Sequence, residues 1–243
     1  MKVLRGGLRA IVLAGLFLAA SSCAEIQGQL NDVLSQGGGN GLDEQTVVEG
    51  LKQALEVGTK RTVLQTSKVD GFLGNALIRI ALPKKYEKMA DTMRKLGFGK
   101  QVDELEVAMN RAAEKAAGEA RPVFVNAIKQ MTLPDAFKIL RGDDTAATEY
   151  FRAHTTDTLR EKFRPIVKTS MEKVGLYNAY NKVADRYNQL PFVTKPAVNL
   201  DNYVTNRTLS GLFTVLGQQE KRIRENPAAR TTELLKKVFG KSN

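Results

Sequence analysis

The chain has no tryptophan, a single histidine, a single cysteine and few aromatic residues of any kind. Each shortage removes a class of chemistry. A zinc site of the usual kind takes three or four His, Cys or carboxylate ligands, and His154 and Cys23 are all the imidazole and thiolate there is. A Ser-His-Asp or Cys-His arrangement would have to run through His154, and no GxSxG elbow occurs. A phosphate-cradling loop is missing too, since GFLGNA at 71–76 lacks the lysine and the spacing. Thin aromatic content argues against an extended sugar-binding cleft. No catalytic, cofactor-binding or metal-binding residue is assigned, and the chain reads as a non-enzyme. Carboxylates are abundant, which keeps two-acid hydrolysis as a third reading. Against it, Asp143 and Asp144 are adjacent but Asp144 has the position of a helix cap, and Glu114 and Glu119 are expected on the surface.

Strand signals are also missing. No alternating apolar and polar run of strand length appears, and no internal repeat recurs at a fixed period, which disfavours a solenoid. Ala, Leu, Lys and Glu are plentiful, and that bias favours helices. With 243 residues the chain is long enough for one domain with a real hydrophobic core.

The N-terminal segment, MKVLRGGLRAIVLAGLFLAASSC, divides into three parts. Lys2, Arg5 and Arg9 form a positive region, Ala10 to Ala20 an apolar run, and Ala19 to Ser22 a small-residue cleavage site. The run is well short of the roughly 20 residues that span a bilayer, so residues 1–22 read as a signal peptide that is removed. The solitary Cys23 follows at once. The segment resembles the lipobox of bacterial lipoproteins, where this cysteine becomes the acylated N-terminus. The usual Leu three residues before it is Ala20 here, which keeps ordinary signal-peptidase cleavage after Ser22 as an alternative. Ala24 rather than Asp after the cysteine resembles lipoproteins sent to the outer membrane of a Gram-negative host. The expected location is therefore the periplasm, on a lipid anchor.

Residues 23–41 are expected to be the lipidated N-terminus and a tether, with SQGGGNG at 35–41 as its Gly-rich part. Residues 42–243 are expected to form one all-α domain. A first helix, with Asp43 as candidate N-cap, carries Val47, Val48, Leu51, Ala54 and Leu55 at helical spacing, and a second runs from Lys84 to Leu96. The strongest stripe spans 102–131, with Leu105, Met109, Ala112, Ala113, Ala116, Ala120, Phe124, Ala127, Ile128 and Met131 on one face. Pro122 should kink or divide that helix near residue 118, and Pro165 should kink or restart a later one. Pro134 fits the first turn of a short helix ending at Arg141, and Tyr177, Tyr180, Ala184 and Tyr187 make a further stripe. A helix over 200–225 precedes a last one whose face is Leu234, Leu235, Val238 and Phe239.

Several of these segments resemble one family: GLKQAL (50–55), LPKKYEKMADTMRKLG (82–97), MNRAAEKA (109–116), TAATEYF (145–151) and ENPAARTTELLKKVFG (225–240). They are similar to domain of unknown function 4197, a family of bacterial exported proteins that often carry lipoprotein signals. The resemblance extends from about Leu42 to Gly240. It implies one helical domain outside the cytoplasm, and no activity, ligand or catalytic residue.

Loss of the signal takes the formal net charge from +11 to +8, because Lys2, Arg5 and Arg9 leave and residues 1–22 hold no acid. A basic exported protein meets anionic lipid or cell-wall polymer rather than nucleic acid. Lys221, Arg222, Arg224, Arg230, Lys236, Lys237 and Lys241 could give the C-terminal helices a basic face toward such a partner. The same charges would serve equally as a solvated face on a docked helix. The resulting expectation is a lipid-anchored helical protein of the envelope that binds or scaffolds a partner of unknown identity. Its alternative is a module that takes a small apolar or lipid ligand in a cavity between the alanine stripe and the Tyr177, Tyr180, Tyr187 stripe.

Overall fold

Eight helices account for nearly all of the regular structure in a computed structural model that describes residues 44–173, 176–191 and 199–225. They are α1 (Glu44–Ser67), α2 (Lys84–Lys95), α3 (Gly99–Ala117), α4 (Ala120–Gln130), α5 (Leu133–Arg141), α6 (Ala146–Lys173), α7 (Leu176–Asn188) and α8 (Leu200–Glu225). Asp43, Cys23, the tether and the last helix lie outside the described residues. None of the described helices is long and apolar enough to cross a membrane.

The centre is α3. Val102, Leu105, Ala108, Met109, Ala112, Ala113, Ala116 and Ala117 are all buried, so a wide apolar face, about half of the helix, is covered. A face that wide needs several partners, and α2, α6, α7 and α8 pack against it. Its alanines remove the bulk that would hold neighbours at a distance. The expected stripe is buried along its full length, from Leu105 to Met131. Long α6 and α8 lie side by side behind it, with α4 and α5 against α6. Phe124, Phe151 and Phe213 join these layers through edge-to-face contacts at 5.1 and 6.4 Å. These helices form one compact unit.

Local chemistry accounts for most boundaries. The break between α3 and α4 falls at Gly118 and Glu119, one turn before Pro122, as the clash of the proline ring with the carbonyl four residues back requires. Gly97, at φ 86°, closes α2: its N–H donates to the Arg94 carbonyl and the Phe98 N–H to that of Met93. Thr132 caps α5, its Oγ accepting from the Asp135 N–H at 3.3 Å while the Asp135 carboxylate accepts from the Thr132 N–H at 3.1 Å. Pro134 sits in that first turn as expected.

Of the kink or restart expected at Pro165 the restart is ruled out, and the cap expected at Asp144 is corrected. Helix α6 runs from 146 to 173 without restarting at Pro165. Phe163, Val167 and Met171 continue one buried stripe across the proline, and that packing outweighs the one lost backbone bond. The start of α6 is not held by Asp144. The Asp143 carboxylate accepts from the Thr145 N–H at 3.0 Å and its carbonyl from the Ala146 N–H at 3.3 Å, and Glu220 of α8 takes the N–H groups of Ala147 and Thr148.

Candidate functional site

Two polar assemblies interrupt the apolar interior and a third lies at the surface, and each starts from a helix face that the sequence pattern alone would leave in water. The first belongs to α3. Glu106, Asn110, Arg111 and Glu114 lie at three- and four-residue spacing, which puts them on one side of a helix. They hold residues 68–82, a strap without helix or strand. Glu114 Oε1 accepts from the Phe72 and Leu73 N–H groups at 3.1 and 3.3 Å, and its Oε2 accepts from Arg111 at 2.7 Å. Arg111 also reaches Asp70 at 2.8 Å, and these bonds to two carboxylates keep the guanidinium protonated. Asn110 accepts from the Ile80 N–H and donates to the Ile80 carbonyl, both at 2.9 Å, as a neighbouring β-strand would. Glu106 holds Arg79 at 3.1 Å.

On its other side the strap lies on α8. A Cβ added at Gly211 would sit 2.6 Å from the Phe72 ring, so only glycine admits that close approach. Ala81 is fastened by the Tyr203 hydroxyl, which donates to its carbonyl at 2.9 Å. Asp70 takes a positive φ of 63°, a conformation that Asp tolerates better than most residues. Glu114 was expected on the surface. It is buried because the strap's unpaired N–H groups need an acceptor there.

The second assembly joins α8 to the first turn of α6. Glu220 is buried; its Oε1 accepts from the Ala147 N–H and its Oε2 from the Thr148 N–H, both at 2.8 Å, and the Thr148 hydroxyl adds a bond at 2.7 Å. Arg224 pairs with the same carboxylate at 3.0 Å and donates to the Ile139 carbonyl at 2.8 Å. Free N–H groups at a helix start carry partial positive charge, and a carboxylate there is stabilising. An apolar cavity of about 30 Å³, roughly one water, lies beside it between Leu51, Leu55, Phe151 and Leu216. Arg224 is therefore an internal partner of Glu220, not part of a solvated basic face. Lys221 and Arg222 are exposed, and the basic residues from 230 onward lie outside the described residues.

The third is an open groove of about 320 Å³ between α4 and α6. Pro122, Asn126 and Gln130 form one wall and His154, Thr158 and Lys162 the other, each at four-residue spacing. His154 stacks on Tyr150 with ring centroids 4.2 Å apart, and its Nδ1 lies 2.8 Å from the Tyr150 carbonyl. Neighbouring Asp135 is held below the usual carboxylate range, first by its bonds from Thr132 and less by the charge of His154. Asp143 is lowered by the Thr145 N–H.

The remaining sequence candidates are scattered. Glu119 is exposed, as expected. In the tyrosine stripe, Tyr187 is buried and Tyr180 meets Tyr86 of α2 edge-on at 5.7 Å. Tyr177 donates to Asp201, and burial together with that bond pushes its phenol far above the ordinary value. Among the described residues no three His, Cys, Asp or Glu side chains converge as a metal site would require. Glu220, Asn110 and the strap were missed by sequence reasoning. Asp70 with Gly71 and Gly74 marked a turn in the strap, but nothing local marked its partners.

No curated protein matches this chain, and no solved structure does. One protein family matches, over residues 41–240; it is described as a protein of unknown function, DUF4197.

Proposed function

Since the chain belongs to the DUF4197 family, whose description carries no activity, we propose from its own residues a non-enzymatic, lipid-anchored helical protein of the bacterial envelope that binds or scaffolds a partner. The observation behind the non-enzymatic part is the use of its buried acids. Both oxygens of Glu114 and both of Glu220 are occupied by backbone N–H groups, a hydroxyl or an arginine. A carboxylate so engaged holds backbone in place; general acid–base work needs an oxygen within reach of substrate. The anchor rests on the signal-like residues 1–22 and on the solitary Cys23 behind them. Outer-membrane placement in a Gram-negative host follows from Ala24.

The scaffold reading is preferred to a module for a small apolar ligand. The apolar space beside Glu220 is about 30 Å³, whereas sites for such ligands start at roughly 300 Å³; the groove between α4 and α6 has that volume but is open and lined largely by polar side chains. Mass spectrometry of the mature protein from its native host tests the anchor. It should find an N-terminal Cys23 carrying acyl chains, and Cys23→Ser should leave the membrane fraction. An unmodified Cys23, or cleavage leaving it inside the chain, refutes the lipoprotein.

A further inference from the structure

The strap over residues 68–82 is fixed from beneath, and two of its large apolar side chains stay in water. Asn110, Arg111 and Glu114 bind its backbone and its one acid, and Phe72 and Ile78 fill the inner side against Gly211. The points gripped by Glu114 and Asn110 are one helical turn apart, about 6 Å of rise, so the segment between them is held at both ends. Outward, Val69 is 73% exposed and Leu77 68%, with Leu64 on the last turns of α1 at 60%. Large side chains left in water on a segment pinned this firmly add nothing to the core.

The charge along this stretch is nearly all of one sign. Residues 60–85 hold Lys60, Arg61, Lys68, Arg79, Lys84 and Lys85 against Asp70 alone; Asp70 is engaged by Arg111 and Arg79 by Glu106 of α3. Lys84 and Lys85 are the first residues of α2, at the positive end of the helix dipole, where acids are favoured and lysines are not. Two local rules of stability are thus broken within one segment, which is where a binding surface is to be sought. Aliphatic side chains raised among exposed lysines have the composition of an interfacial membrane contact. A second copy of the chain would bring the same lysines face to face.

We propose that the strap docks on an anionic phospholipid surface, with Val69 and Leu77 entering the headgroup boundary and Lys68, Lys84 and Lys85 meeting lipid phosphates. This rests on the lipid-anchored reading only for nearness to a membrane. The contact is a property of the domain and is testable without the acyl group. The probe is the chain from residue 23 onward carrying Cys23→Ser, sedimented with phosphatidylcholine vesicles made with and without phosphatidylglycerol. It should sediment with the phosphatidylglycerol vesicles and stay in solution with the others, and added salt should release it. Lys84→Gln and Lys85→Gln should each weaken binding about fivefold, with the melting midpoint unchanged or raised because the conflict with the dipole is removed. Leu77→Ser should weaken binding at an unchanged midpoint. The chain has no tryptophan, so Leu77→Trp makes a single reporter whose emission should shift to the blue only with the anionic vesicles. The proposal is overturned by a chain that ignores phosphatidylglycerol, by equal binding to both vesicle types, or by a dimer that Leu77→Ser dissolves. A failed acylation at Cys23 would leave this result standing, and the reverse also holds.

Discussion

Glu220 makes the case for reading one side chain through all of its partners. Its carboxylate satisfies two buried N–H groups at the start of α6 and neutralises Arg224, which is itself largely covered. Removing one partner of a buried pair leaves the other charge uncompensated, at roughly 3–5 kcal/mol. Glu220→Ala should therefore lower stability by about that amount in urea unfolding, and Glu220→Gln, which keeps an acceptor oxygen, by less. The exposed pair Glu149–Arg152, at 3.4 Å, is the control; Glu149→Ala should cost under about 1 kcal/mol. Equal effects at 220 and 149 would mean that the capping role is wrongly assigned. Glu114 makes the same kind of contact to the strap, with Arg111 standing where Arg224 stands beside Glu220.

Pro122 and Pro165 have different effects on their helices, and the difference lies in what surrounds them. At the α3–α4 junction Gly118 and Pro122 fall within one turn of each other, and the helix ends. In α6 a lone exposed Pro165 is bridged by buried Phe163 and Val167, and the helix continues. The close packing around α3 leads to a direct test. Ala116 is fully buried, so Ala116→Leu should lower stability by about 1–3 kcal/mol through overpacking. Lys115, the next residue, is exposed, and Lys115→Leu should change stability by no more than about 0.5 kcal/mol. Thermal or urea midpoints of the two variants decide the matter. A ligand-sized cavity beside the alanines would instead absorb the leucine and leave the midpoint unchanged or raised.

For the molecule as a whole, alkaline pH tests how the helices are tied together. Tyr150, Tyr177 and Tyr203 sit on three different helices and are all raised above the ordinary phenol value of 10.0, in each case first by burial. Their hydroxyls donate to Ala127, Asp201 and Ala81, each on another segment of the chain. Below pH 10 these phenols are protonated in both states and their contribution is complete. Above it the unfolded chain ionises first, so stability should fall as pH climbs from 10 toward the raised native values. Urea midpoints across that range should show the decline, and Tyr177→Phe should make it shallower. A flat profile above pH 10 would mean that these phenols ionise alike in the native and unfolded chains.

The class of fold and most helix limits were legible because they depend on neighbours in sequence. Apolar residues at three- and four-residue spacing, Gly97, Pro134 in the first turn of α5 and the limits Leu200 and Glu225 are signals read within a turn or two. The functional surfaces were not legible in this way. Glu114 lies 42 residues from Phe72, and Glu220 lies 73 from Ala147. A glutamate that caps a distant helix is written with the same letter, at the same helical spacing, as one that points into solvent. Nothing in the local sequence separates Val69 and Leu77, which stay in water, from Phe72 and Ile78, which fill the inner side of the strap. By itself the sequence determined which segments coil and which face of each is apolar, because hydrogen bonds and side-chain spacing within a helix are local. Only the tertiary structure decided which charges are buried and which apolar side chains stay in water, because burial is set by what another part of the chain lays against them.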